Sequence, residues 1–185
     1  MRLTMSATPR LQGYRLPSIL LHWLAAGLIV ALWVIGQMWE GQPRDVRVAL
    51  RGLHFSLGLI AVVVIGVRLA WRFAAADGAA DSEANGLFDR LAKLVQHLFY
   101  LTMLVLIVTG PLAIWFEGRS IPFFGLGALP SPLPKLDTVS HALETVHIVF
   151  TKVIVLLFAL HVLGAFKHLI VDRDGVFMRM LAPRR

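Results

Sequence analysis

Seven histidines fall at His22, His54, His97, His141, His147, His161 and His168. Imidazole titrates near neutrality, shuttles protons and is the commonest metal ligand. Inside an apolar segment it is also costly, which makes each such residue a functional candidate. Cysteine is absent, so disulfides, iron–sulfur ligation and covalent C-x-x-C-H haem attachment are excluded. His147 and His161 lie 14 residues apart. On one helix that spacing places them within about 40° of a common face and roughly 21 Å apart along the axis. One helix therefore presents an imidazole near each of its ends, both toward the same interior.

The elements that position these side chains follow from hydropathy. Of 185 residues, 57% are apolar and only 16% charged, with a mean hydropathy of +0.72. A soluble domain carries more charge. Apolar runs of about 20 residues span a hydrocarbon core, and four qualify: about 16–39, 50–71, 93–116 and 141–169. Backbone groups in lipid must be satisfied within their own segment, so each run predicts a helix. The fold expected is all-α, an integral membrane four-helix bundle forming a single domain over 1–185. The first run is too long for a secretory signal and lacks a small-residue cleavage site, so it reads as a retained helix. With the N-terminus inside, the cytoplasmic face collects Arg2, Arg10, Arg15, Arg68, Arg72, Arg90, Lys93, Lys167, Arg173, Arg179, Arg184 and Arg185. The outer face holds Arg44, Arg47, Arg51, Arg119 and Lys135. That imbalance predicts both termini in the cytoplasm. The net charge of +7 is then a matter of topology and anionic lipid, and nucleic-acid binding is not expected. The Ala74–Asn85 connection, with Asp77, Asp81 and Glu83, reads as a solvated loop. Pro122, Pro130, Pro132 and Pro134 mark an apolar outer loop expected to fold over the bundle mouth. Pro111 should kink the third helix.

Depth pairs the histidines. His22 follows Arg15 by seven residues and His161 precedes Lys167 by six, so both lie near the inner face. His54 follows Arg51 by three and His147 begins the last span, so both lie near the outer face. Two stacked pairs suit two six-coordinate, non-covalent haems b: His22 with His161 on the inner iron, His54 with His147 on the outer. Filling both axial positions favours electron transfer over oxygen binding. Gly58, Gly164, Ala25 and Ala26 are small neighbours that would admit a porphyrin, though they also suit plain helix packing. Zinc would want three or four ligands converging at one depth. His141 reads as an interfacial residue. His168 is open to a propionate or quinone contact, and His97 rivals His22 or belongs to a quinone site with Gln96 and Tyr100. Lys152 either snorkels to the interface, reaches a propionate or lines a polar pocket.

Certain short runs carry a family resemblance over essentially the full length. These are Leu21-His22-Trp23-Leu24, Gly52-Leu53-His54-Phe55-Ser56, Val67-Arg68-Leu69, the His147, His161 and His168 spacing, and Met178-Arg179-Met180-Leu181-Ala182-Pro183. In this order they resemble the bacterial cytochrome b561 family, and more closely its small stand-alone members that act as superoxide oxidases. The resemblance implies haem ligation by the same four histidines, ubiquinone as acceptor in the bacterial inner membrane, and superoxide as a periplasmic electron donor. Lys152 and the long Pro-rich loop depart from the family pattern. Clustered positive charge on the outer side would raise encounter rates with a small anion such as superoxide. Two other readings compete. One is a b-type subunit relaying electrons between a partner dehydrogenase or hydrogenase and quinone, the other a transporter or anchor with histidines in a proton path. A short chain without a large soluble loop favours the stand-alone oxidoreductase, for which a protein partner is possible but not required.

Overall fold

Apolar runs bounded by charge set four long helices in the computed structural model, which describes residues 14–74 and 86–183. Arg2, Arg10, Arg184, Arg185 and the loop acids Asp77, Asp81 and Glu83 lie outside the described residues. Helix α1 covers Leu16–Met38 and carries Pro17 in its first turn, where a missing N–H costs no helical bond. Helix α2 runs Arg44–Ala74, α3 Leu87–Phe116 and α4 Asp137–Phe166. All four are long and apolar enough to cross a membrane. The helices outrun their apolar cores: α2 starts at Arg44 rather than near residue 50, because a helix satisfies its own backbone in water as well as in lipid. Helix α3 continues through Pro111 to Phe116. Helix α4 runs on as a π-helical turn over Lys167–Asp172, stopped by Arg173 and Gly175, both with positive φ.

The packing leaves a seam. Helix α1 lies on α2, α2 on α3 and α3 on α4, while α4 packs closely against neither α1 nor α2. Across the middle of that seam a buried cluster of Ala25, Leu28, Ala61, Ile65, Leu69, Met103 and Ile154 ties the helices together. Ile154 sits seven residues from His147 and seven from His161, so an apolar plug lies between the two histidine levels of α4. Large side chains such as Leu20, Val63, Leu104, Leu156 and Leu163 point out of the bundle, as a lipid-facing surface requires.

The outer loop is pinned down onto the helices. Strands β1 (Ile121–Pro122) and β2 (Ala128–Leu129) form a small antiparallel hairpin. Its turn needs the left-handed region at Gly125, φ 74°, a conformation glycine takes without penalty. The Phe124 N–H donates to Ser56 Oγ at 2.9 Å, and Ser56, 1% exposed, donates its own hydrogen to the Gly52 carbonyl at 2.8 Å. Ser140 donates to the Ala113 carbonyl, and Ser131 to that of Trp115, each at 2.8 Å. A cleft of about 270 Å³ between α2 and the hairpin, lined by Gly52, Leu53, Ser56, Pro122 and Phe124, contains no histidine. At the inner end, Trp23 Nε1 donates to the Met180 carbonyl at 2.7 Å, so the C-terminal turn is tethered to the start of α1.

Candidate functional site

The structure places His161 near His22 at an inner level and His147 near His54 at an outer one. At the inner one, His22 of α1 and His161 of α4 face each other across the seam with ring centres 6.1 Å apart. A metal bound by two imidazole nitrogens at about 2 Å each would set ring centres roughly 6 Å apart. The spacing fits one iron between them. Trp23 meets His22 edge-on at 5.3 Å and Phe99 of α3 meets His161 edge-on at 5.7 Å. His161 is exposed in the protein alone. A third polar residue joins here. Arg68 of α2 donates from Nη2 to His22 Nδ1 at 3.1 Å and from Nη1 to the Ser18 carbonyl at 3.4 Å. Trp71 Nε1 donates to Ser18 Oγ and fixes the same corner.

At the outer level stand His54 of α2 and, near enough to influence it electrostatically, His147 of α4. Each ring backs onto a glycine of the preceding helix. A Cβ at Gly36 would stand 3.8 Å from His54 Cε1, and one at Gly110 would stand 3.3 Å from His147 Cε1. Each also has a backbone carbonyl one turn below that glycine: Leu32 near His54, Leu106 near His147. His54 Nδ1 is nevertheless buried without a hydrogen-bond partner, which few buried polar groups are. His147 is better held. Thr109 Oγ1 spends its single hydrogen on the Val105 carbonyl at 2.8 Å, so its 3.1 Å contact with His147 Nδ1 has the imidazole N–H as donor. That tautomer leaves Nε2 with a free lone pair, as a ligand nitrogen needs. Trp39 meets His54 edge-on at 5.1 Å, with the Arg51 guanidinium 5.8 Å above the indole. Phe55, beside His54, lies under Arg119.

The remaining candidates are not drawn into either pair. His97 is exposed and bonds the Lys93 carbonyl of its own helix at 2.6 Å, so it does not compete with His22. His141 is exposed near Glu144, and Lys152 is exposed on α4. His168 bonds Asp174 at 2.7 Å and lies 3.3 Å from Asp172, which also pairs with Lys167. No third histidine or acid joins either pair among the described residues. The small neighbours differ from those expected: Ala25 belongs to the central plug, and Gly58 and Gly164 have nothing within 4 Å of a would-be Cβ, whereas Gly36 and Gly110 touch the rings. Arg68, Thr109 and Phe99 were not expected at the sites. One signal was available for Gly110, which precedes the mid-helix proline.

Four apolar helices long enough to cross a membrane, with histidines inside them, agree with the class to which comparison assigns the chain, the b-type membrane cytochromes. The chain belongs to the prokaryotic cytochrome b561 family, whose model matches residues 13–183. It is 25% identical to cytochrome b561 homolog 2 of Escherichia coli K12 over 96% of this chain and 95% of that protein. Cytochrome b561 homolog 1 of the same strain is 22% identical over 90% and 95% of the two chains. Cytochrome b562 of Cereibacter sphaeroides is 27% identical over 93% and 97%. Membership makes it a multi-pass, haem b-binding electron-transfer protein of the bacterial inner membrane.

Proposed function

We propose that the protein binds two haems b, one between His22 and His161 and one between His54 and His147, and carries electrons from superoxide outside to ubiquinone in the membrane. The observation that carries this reading is the 6.1 Å ring separation of His22 and His161, with a second pair about 21 Å along α4. Bound haem supplies reversible one-electron redox chemistry. The chain's own residues do the rest. Two imidazoles would hold each iron, His22 and His161 one, His54 and His147 the other, which would leave no ligand position for oxygen and so favour electron transfer. Ile154 and the apolar plug exclude water between the levels, so charge crosses as electrons and not as ions.

The reading places both termini in the cytoplasm and the His54–His147 pair toward the periplasm. Arg44, Arg47 and Arg51 of α2 then offer positive charge to an arriving anion. Arg119 and Lys135 contribute less, since Glu117 and Asp137 already pair with them. Superoxide gives up one electron and leaves as dioxygen. Two such electrons with two protons convert ubiquinone to ubiquinol. Purified protein with its full haem complement should therefore reduce a soluble quinone when superoxide is generated beside it, at a rate that falls as salt rises. Normal haem spectra without that activity would remove superoxide as donor. Co-purification with an iron–sulfur subunit would point to a relay from a partner dehydrogenase or hydrogenase.

A further inference from the structure

Arg68 poses a problem that the protein alone does not solve. It stands inside a membrane-spanning helix, partly buried, one turn before Arg72. An arginine serving only as an interface anchor sends its guanidinium outward to the headgroups. Arg68 instead turns inward to His22 and the Ser18 carbonyl. No described carboxylate lies within ion-pair distance of it. A partly buried cation needs a counter-charge, because desolvation is otherwise uncompensated.

The bond to His22 is also incompatible with metal binding there. Guanidinium has no acceptor, so Arg68 must donate and His22 Nδ1 must accept. If iron takes Nδ1, it displaces Arg68 directly. If iron takes Nε2, a neutral ring carries its proton on Nδ1, and an arginine N–H has nothing to donate to. Either way the guanidinium must let go of His22 and find another acceptor close by. A haem b held by His22 and His161 would carry two propionate carboxylates that could meet this need.

Building on the di-haem reading, we propose that Arg68 is the counter-ion of the inner haem: it exchanges His22 Nδ1 for a haem propionate carboxylate, and this exchange favours haem-bound over haem-free protein at that site alone. Among the described residues no arginine or lysine hydrogen-bonds an outer ring; Arg51 and Arg119 lie over Trp39 and Phe55 instead, and the rings are backed by glycine and backbone carbonyls.

The test compares the full-length protein with Arg68→Gln and Arg68→Lys, each loaded with haem b or with haem dimethyl ester, whose propionates are uncharged. Haem loss to an apomyoglobin scavenger is followed optically. With haem b, Arg68→Gln should release one haem about tenfold faster than the parent, the scale of one charge-assisted hydrogen bond, while the other haem leaves unchanged. Arg68→Lys should fall in between. With the diester, parent and Arg68→Gln should release at the same rate, because both halves of the pair are already broken. Equal rates with haem b would overturn the proposal, as would penalties from substitution and esterification that add. A difference that appears only with anionic lipid present would assign Arg68 to lipid phosphate and overturn it too. Should Arg68→Gln not insert, the parent and Arg68→Lys with both haems decide: the diester must speed loss from the parent more than from the lysine variant. The di-haem reading has its own separate control, since a His22→Ala protein that retains two haems defeats that reading whatever Arg68 does.

Discussion

The inner and outer histidine pairs share a helix but are built from different materials. The outer pair is made of backbone: Gly36 and Gly110 give room, the Leu32 and Leu106 carbonyls lie beside the rings, and Thr109 holds His147 in the tautomer a ligand requires. The inner pair is made of side chains: Arg68, Phe99 and Trp23 surround it, and Arg68 holds His22 in the opposite tautomer. The contrast teaches that equal spacing along α4 does not make equal sites. One is set before its ligand arrives, and the other must rearrange to accept it.

The comparison can be broken most directly at the ligands. Replacing His22 or His161 with Ala should remove one haem per chain, and replacing His54 or His147 should remove the other, counted by the pyridine haemochrome of purified protein. His97→Ala should remove none, since its ring bonds Lys93. A smaller effect separates the two glycines. Gly110→Ala puts a methyl 3.3 Å from a ring already tied to Thr109, so the outer site should lose about 1–3 kcal/mol of haem affinity to overpacking. Gly36→Ala makes only an ordinary 3.8 Å contact and should bind haem as the parent does. Titration of the apoprotein with haem measures both. Thr109→Val should cost about 1 kcal/mol at the outer site and nothing at the inner one.

The smallest effect belongs to the C-terminal turn beyond the inner site. Burial works against ionisation of Asp174, yet the Val176 N–H and His168 hold its carboxyl below the usual 3.8. A depressed folded value means the stabilisation is complete above the ordinary carboxylate range and lost as pH falls through the folded value. Thermal stability in detergent should therefore decline below about pH 4, and Asp174→Asn should flatten that decline slightly.

Much of this was legible in the chain because hydrophobic length and histidine depth are one-dimensional quantities. Leu16 to Trp39 had to be helical in lipid, and the 14-residue step from His147 to His161 gave face and depth at once. The extra turns of α2 at Arg44 and Arg47 escaped because a polar helix end leaves no mark in hydropathy. Gly36 and Gly110 escaped for a different reason: which glycine meets a ring on another helix depends on rotation and register, which one sequence does not record. Gly58, by contrast, lies on the ligand's own helix and was chosen for proximity in sequence. Arg68 was counted as a topological charge and as part of the Val67-Arg68-Leu69 run, since nothing along the chain says that its side chain turns inward to residue 22.

Helix α4 supplies one member to each pair, and it leaves the ribosome after α1, α2 and α3. Neither pair can close on both sides until that segment has entered the bilayer, however early His22 and His54 arrive. Acquisition of cofactor is thereby coupled to synthesis of α4, and a chain stopped before residue 147 would carry half-sites only.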